Sequence, residues 1–221
     1  MRIALISDLH ANTTALEALA DVVSGADRVV CLGDLVGYYC GVNEVIGAVR
    51  EMGALCVLGN HDDFLLHGCP ADAPEAVRWS IGYADRVIDP GHRDWLAKLP
   101  LAWGGNLGGT TWLAVHGSPW SPLGDYIYAD SPKLQGLAAF DYDVVALGQT
   151  HRPLQRMDGR PRLVNPGSVG QSRHAPAVAC AAVVDTETMA CEAVERPYDP
   201  SRVIEAARRN GASHWITKHL V

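Results

Sequence analysis

At 221 residues and 48% hydrophobic content, the chain can bury a sizeable core, and its length reads as a single domain over residues 1–221. A formal net charge of −7 argues against extended nucleic-acid binding, which needs many Lys and Arg contacts to phosphates, and favours a small or locally held partner. No apolar run approaches the roughly 20 residues of a membrane span, and Asp8 interrupts the N-terminal run before it can serve as a secretory segment.

The chain is therefore expected to begin at Met1, to be cytoplasmic and to have no membrane partner. Its six cysteines include no C-x-x-C pair, and Cys31, Cys56 and Cys180 sit in apolar runs where a reduced thiol acts as a small hydrophobe.

In chain order, Ile3–Ile6 predicts a strand, and Leu16, Leu19, Val22 and Val23 recur at helical spacing, with Thr14-Ala-Leu-Glu17 as a capping box. Arg28–Leu32 predicts a second strand, Val42–Met52 a helix through Val45, Ile46 and Val49, and Ala54–Leu58 a third strand. This alternation predicts a parallel α/β sheet. Pro74–Leu99 reads as helical, with Val77, Ile81, Ala84 and Ile88 on one face and a break at Pro90-Gly91 before a second short helix. Thr111–Val115 then predicts a strand, Gly117–Gly124 a loop, Lys133–Ala139 a helical segment and Tyr142–Leu147 a buried strand. Short β-runs follow at Leu154–Met157, Arg162–Val164, Val178–Val184 and Met189–Glu195, with a turn at Asp158-Gly159. They predict a second, more antiparallel sheet. Ser201–Asn210 closes the chain's pattern as a helix stopped by Gly211.

Five short motifs each directly follow a predicted strand: Asp8-Leu-His10, Gly33-Asp34-Leu-Val-Gly37, Gly59-Asn60-His61-Asp62, His116-Gly-Ser118 and Gly148-Gln149-Thr150-His151. Ligands of open α/β sheets bind beyond the carboxyl ends of the strands, so these segments would deliver Asp, Asn and His side chains to one edge. Singly each is weak, because an Asp after a strand is usually a turn or cap residue and a lone His a satisfied core or surface group. Together they point to a metal centre, since carboxylate oxygen with imidazole nitrogen suits Mn, Fe, Zn or Ni better than thiolate-seeking ions. Asp8 and His10 would share one face of a regular strand, or chelate one ion at its end. Asp34, with two carboxylate oxygens, is the candidate bridge between two ions. Such a pair, roughly 3.5–4 Å apart, would polarise phosphoryl oxygens, acidify a shared water and align in-line attack. His67, His92, His174, His214 and His219 lack a comparable setting and read as structural.

The set D-x-H, G-D-x-x-G, G-N-H-D, H-G-S and a variant of G-H-x-H, running from Asp8 to His151, resembles that of the calcineurin-like metallophosphoesterase family. Asn165-Pro-Gly-Ser-Val-Gly170 is similar to a segment of its small bacterial and archaeal members. The resemblance implies an α/β fold, a four-layer α/β/β/α sandwich of two mixed sheets flanked by helices. It also implies two divalent ions, Mn foremost with Fe, Zn or Ni as alternatives. One would take Asp8, His10, Asp34 and His151, the other Asp34, Asn60, His116 and the residue at Gln149. A metal-bridging hydroxide would attack a small phosphate mono- or diester, nucleotides among the candidates, with no covalent enzyme intermediate. His61 resembles the family's general acid for the leaving oxygen. Its other reading is a hydrogen-bonding partner of Asp34 or of a substrate phosphate. Substrate contacts are expected from Asn60, His61 and Arg152.

Gln149 departs from the family's pattern, which has His there. A Gln carbonyl is uncharged and a poorer donor to a transition metal than imidazole. This weakens the second ion site and keeps a competing reading open, a metal-binding or scaffold protein that retains the fold with reduced catalysis. Arg152 and Arg173, each beside a motif, have the bidentate geometry to hold a substrate phosphate, or else serve a neighbouring carboxylate. Trp120, Tyr126 and Tyr128, on the loop after His116, either stack on a nucleobase or pack that loop. The Pro74–Leu99 helices are placed as a roof over the site.

Overall fold

The computed structural model describes residues 1–221. Strand β1 (Arg2–Ile6) is buried from Ile3 onward. Its alternate side chains meet different layers: Ile3 and Leu5 join an apolar cluster between two sheets, Ala4 and Ile6 a larger one beneath the helices. A strand covered on both faces has no polar alternation, which is why it reads as a continuous apolar run. Strands β2 (Arg28–Cys31) and β3 (Leu55–Cys56) follow in parallel, joined through helices α1 (Thr13–Glu17), α2 (Ala20–Ser24) and α3 (Val42–Glu51). Helices α4 (Asn60–His67), α5 (Glu75–Val87) and α6 (Pro90–Leu96) come next.

The second half supplies β4 (Ala102–Leu107), β5 (Thr110–Val115), a 3-10 helix (Pro132–Ala139), β6 (Val144–Ala146), β7 (Pro153–Arg156) and β8 (Arg162–Pro166). Strands β9 (Val178–Asp185) and β10 (Cys191–Pro197) and helices α7 (Ser201–Arg209) and α8 (His214–Thr217) complete the chain. Two mixed five-stranded sheets result, ordered β10-β9-β1-β2-β3 and β4-β5-β6-β8-β7. The late strands thus do not all lie in the second, more antiparallel sheet expected from sequence. Strand β9 runs antiparallel beside β1 and carries β10 into the first sheet, while β7 and β8 complete the second, whose centre β5-β6-β8 is parallel. The reason lies in β9 itself: Ala179 to Val184 are all buried, so it needs cover on both faces, and the position next to β1 supplies it.

Helices cover the outer face of the first sheet through a cluster of 32 buried residues, whereas only eight close the outer face of the second, Leu134 and Leu137 of the 3-10 helix among them. The fourth layer is therefore thin. Pro132 at its start and Gly136 within it favour a short tight helix over a lasting α-helix. Asn12, rather than a box beginning at Thr14, caps α1: its Oδ1 accepts the Ala15 N–H at 3.1 Å. Sequence periodicity shows neither α4, whose first turn is polar, nor β4, which carries Gly104 and Gly105 where strands are normally weakened. Helices α5 and α6 turn Val77, Ile81, Ala84 and Leu96 into the helix-side cluster with α3. They back the first sheet; none of residues 74–99 borders the cavity at the motif edge, and only 74–77 border the one adjoining it. All six cysteines are unpaired, and no helix is long and apolar enough to cross a membrane.

Candidate metal centre

Every ligand-bearing loop leaves a strand at its carboxyl end: Asp8 and His10 after β1, Asp34 after β2, Asn60 after β3, His116 after β5, Gln149 and His151 after β6. Asp8, His10, Asp34, Gln149 and His151 have φ of 55°, 48°, 56°, 68° and 56°. The left-handed conformation costs an L-residue about 1–2 kcal/mol, and such strain gathers where function demands a particular side-chain direction. These turns, and not strand alternation, bring Asp8 and His10 to one point. Neighbouring loops hold them there, with Asp8 N–H donating to Gly33 O at 3.0 Å and His10 N–H to Asp34 O at 3.0 Å.

Three imidazoles are anchored alike: Nδ1 of His10 lies 3.0 Å from Val36 O, that of His116 2.6 Å from Leu32 O, and that of His151 2.6 Å from Gln171 O. A carbonyl only accepts, so Nδ1 carries the hydrogen and the Nε2 lone pair points inward. There His10 Nε2 meets His151 Nε2 at 3.0 Å, and His116 Nε2 meets Asn60 Oδ1 at 3.1 Å. Lone pair thus faces lone pair, an arrangement that only a proton or a cation reconciles. Asp8 Oδ1 and Gln149 Oε1 are buried without any hydrogen-bond partner. Three groups, Asp8-His10-His151, Asp8-Asp34-His116 and His10-Asp34-His61, each bring their donor atoms within 4.8 Å of one another. The set fits divalent cations in number and chemistry. Asp8 groups with His116 as well as with His10 and His151, which differs from the ligand division implied by the sequence.

No Lys or Arg pairs with the two buried carboxylates; only histidines lie near them. Burial alone would raise Asp34, but the charges of His116 and His61 overcome it and hold the carboxyl well below its usual value. Asp8 is likewise lowered, against burial, chiefly by His151. Burial pulls His10 well down. His116 is also pulled down by burial, yet the Asp34 and Asp8 carboxylates outweigh this and raise it to about 9. The site thus recruits positive charge.

His61 differs from the other three. Its Nδ1 is buried without a partner, its Nε2 lies 4.0 Å from Asp34 Oδ2, and burial holds it below the usual imidazole value. A Cβ at Gly37, where φ is +96°, would fall on the His61 ring, and one at Gly59 would fall on Asp34. Two motif glycines are explained by these close approaches. Asp62, which sequence reasoning quoted without a role, ties the two loops together. Its Oδ1 accepts from Leu35 N–H at 2.9 Å and Val36 N–H at 3.1 Å, its Oδ2 from Gly59 N–H at 3.1 Å. Burial and then Asp34 push its carboxyl up to about 7. The Asn165–Gly170 segment braces the opposite side: Ser168 Oγ donates to Asp8 O and Asn165 Nδ2 to Gly148 O, both at 2.7 Å. The signal for both was a short polar side chain inside a motif.

Residues 1–189 match the calcineurin-like phosphoesterase superfamily domain. The chain belongs to that superfamily. It is 28% identical to an uncharacterized protein of Methanocaldococcus jannaschii, over 99% of this chain and 96% of the relative. A metallophosphoesterase from Sphaerobacter thermophilus superposes with a TM-score of 0.86 at 28% identity, covering 100% of this chain and 98% of its own. A hypothetical protein from Pyrococcus horikoshii gives 0.87 at 22% identity, with 99% and 97% covered. The family is metal-dependent, and the buried Asp and His groups here could hold metal ions.

In this member the centre opens into a cavity of about 580 Å³, bordered by Tyr38, Tyr126, Tyr128, Arg152 and Arg173 among others. Tyr126 and Tyr128 stack on each other at 6.5 Å and are exposed, whereas Trp120 packs edge-on against Phe140 at 5.3 Å. His174 and His219, read as structural from sequence, also border the cavity without joining the ligand groups. Tertiary folding alone brings them there, since they come from a loop and from the chain's last turn.

Proposed function

We propose that this chain is a metal-dependent phosphoric ester hydrolase acting on small phosphate mono- or diesters, nucleotides among them, and that residues 1–221 work as one domain. The observation that carries this reading is the convergence of Asp8, His10, Asp34, His116 and His151, whose inward oxygens and Nε2 atoms face one another, Asn60 and His61, with no Lys or Arg among them. They do so beside a cavity of about 580 Å³, within the size range of small-molecule sites. Asp34 takes the bridging role: Oδ2 lies 3.8 Å from His10 Nε2 and 3.5 Å from His116 Nε2, while Oδ1 accepts the His61 N–H at 2.8 Å. Divalent cations held by these side chains, Mn²⁺ foremost with Fe, Zn or Ni as alternatives, would polarise the phosphoryl group and acidify water at neutral pH. Asn60 and Arg152 hold phosphate oxygens, and His61 is placed to give a proton to the leaving oxygen. Hydrolysis of a generic aryl phosphate mono- or diester should vanish on chelation and return with Mn²⁺. If metal-loaded protein hydrolyses nothing across a broad ester panel, the scaffold reading takes its place.

Gln149 is the observation that favours that second reading. Its N–H donates to Asp8 Oδ2 at 3.2 Å and its Nε2 to Leu123 O at 3.3 Å, leaving Oε1 as the only donor it offers a cation. An uncharged carbonyl binds a transition metal less well than imidazole. Unequal occupancy of two ion sites is therefore expected, and Gln149→His should raise the weaker one and lower the Mn²⁺ concentration for half-maximal activity. Metal analysis of both proteins at matched limiting Mn²⁺ decides it. Equal, full occupancy of both sites in both proteins would mean that Gln149 is no handicap.

A further inference from the structure

Arg152, Arg173 and Lys218 border the cavity, where Asp34, at its floor, is the one Asp or Glu side chain, and Glu75 is the one in the adjoining cavity. The chain is acidic overall, with a net charge of −7, and several of its surface cations pair with acids, as in Arg196–Asp21, Arg202–Glu17, Arg209–Glu205 and Lys133–Asp125. None of the three cavity cations has such a partner. They are nonetheless positioned. Arg173 Nη2 donates to Gln171 Oε1 at 3.0 Å, and the same residue's carbonyl anchors His151. The Lys218 ammonium lies 4.4 Å from the centre of the Trp215 ring. Between them His219 is pushed down to about 4, by burial first and then by the charges of Arg173 and Lys218.

Arg173 and Lys218 also border that adjoining cavity, of about 450 Å³, which Tyr38 and Trp215 share. Tyr38 sits at the divide, its ring 4.6 Å from that of His10 and 5.0 Å from that of His61. Arg173 and Lys218 thus border both the cavity at the reacting centre and the adjoining one, on the side of His151, whose O accepts the Arg173 N–H at 3.1 Å. Lys218 also lies beyond the matched superfamily domain, which ends at residue 189.

We propose that Arg173 and Lys218 form a second anion subsite that selects phosphate esters carrying a further phosphate beyond the one held at the metal centre. This rests on the hydrolase reading, and its test is built to fail separately. Two measurements are made on the metal-loaded full chain. The first is kcat/KM for phenyl phosphate and for the same ester with a second phosphate on the ring. The second is calorimetric affinity for phenylphosphonate and for phenylene bisphosphonate, which have no P–O–C ester bond to hydrolyse. The member of each pair with two phosphorus groups should be favoured about tenfold or more, as charge-assisted hydrogen bonds allow. The preference should collapse in the Arg173→Met/Lys218→Met double variant and fall partway in each single one. Both residues are exposed, and unchanged thermal unfolding verifies that the variants fold. Absence of a preference in the parent protein, or a preference that survives the double substitution, overturns the subsite. Should no ester be hydrolysed while the bisphosphonate preference appears and depends on these two cations, the hydrolase reading falls and the subsite stands.

Discussion

Replacing Asp34 with Asn is expected to remove bound metal and turnover together, with kcat falling roughly 10³-fold or more, about 4 kcal/mol of transition-state stabilisation. The side chain has two separable tasks. Oδ1 accepts the His61 N–H at 2.8 Å, a bond the Asn carbonyl can keep, so the loop after β2 should stay in place. Oδ2 faces both His10 and His116, and a neutral amide there removes the charge that draws cations. Metal-free Asp34→Asn should be less stable than the parent near neutral pH, because the carboxyl is held well below its usual value by His116 and His61 against burial, and His116 in turn is raised by Asp34, so the charge removed is a paired one. What should shrink is the rise in Tm on adding Mn²⁺, since a ligand stabilises only as far as its concentration exceeds its Kd. Metal analysis, kcat and thermal unfolding with and without Mn²⁺ test the three statements. Full metal content with crippled turnover would move the bridge to Asp8, whose Oδ1 lies 3.3 Å from His151 Nε2 and 4.0 Å from His116 Nε2.

The first sheet was legible because its strands are short, apolar on both faces and separated by helices of clear period: Ile3 to Ile6 and Val42 to Glu51 announce themselves. The place of β9 was not, because Val178–Val184 has the same apolar run whether it lies centrally in one sheet or the other, and only its pairing with β1 decides. At the site, residue type and the strand-end position were enough to nominate Asp8, His10, Asp34, Asn60, His116 and His151. The conformation was not legible: nothing in Asp8-Leu-His10 announces that Asp8 and His10 adopt φ of 55° and 48°. Asp62 was hidden for another reason. A carboxylate that binds only backbone N–H groups, those of Gly59 beside it and of Leu35 and Val36 in a distant loop, has no side-chain partner in the sequence to betray it. The cation pair at Arg173 and Lys218 joins residues far apart in the chain, beyond any local pattern.

His61→Ala should separate a proton donor from a metal ligand, with kcat falling about 10²–10³-fold, the usual contribution of general acid catalysis, and metal content retained. Three ring nitrogens here are fixed by backbone carbonyls so that Nε2 faces the centre; His61 alone has an unpartnered Nδ1 and approaches Asp34 only to 4.0 Å. A ring held by packing, 5.0 Å from Tyr38 and 6.0 Å from Phe64, suits a group that must exchange a proton rather than grip an ion. The opposite case has its own support, since His10, Asp34 and His61 are close enough to hold an ion together. Metal content decides between them, because a ligand's loss should empty a site at the metal supply that fills the parent protein. Leaving-group dependence then tests the acid role: the loss should be large for an alkyl ester, whose departing oxygen needs a proton, and much smaller for a nitrophenyl ester, whose does not. His61→Gln serves as the space-filling control, because it restores volume and hydrogen bonding but carries no transferable proton of comparable acidity. If Gln restores turnover on the alkyl ester, His61 acts by shaping the site, and the leaving oxygen takes its proton from elsewhere.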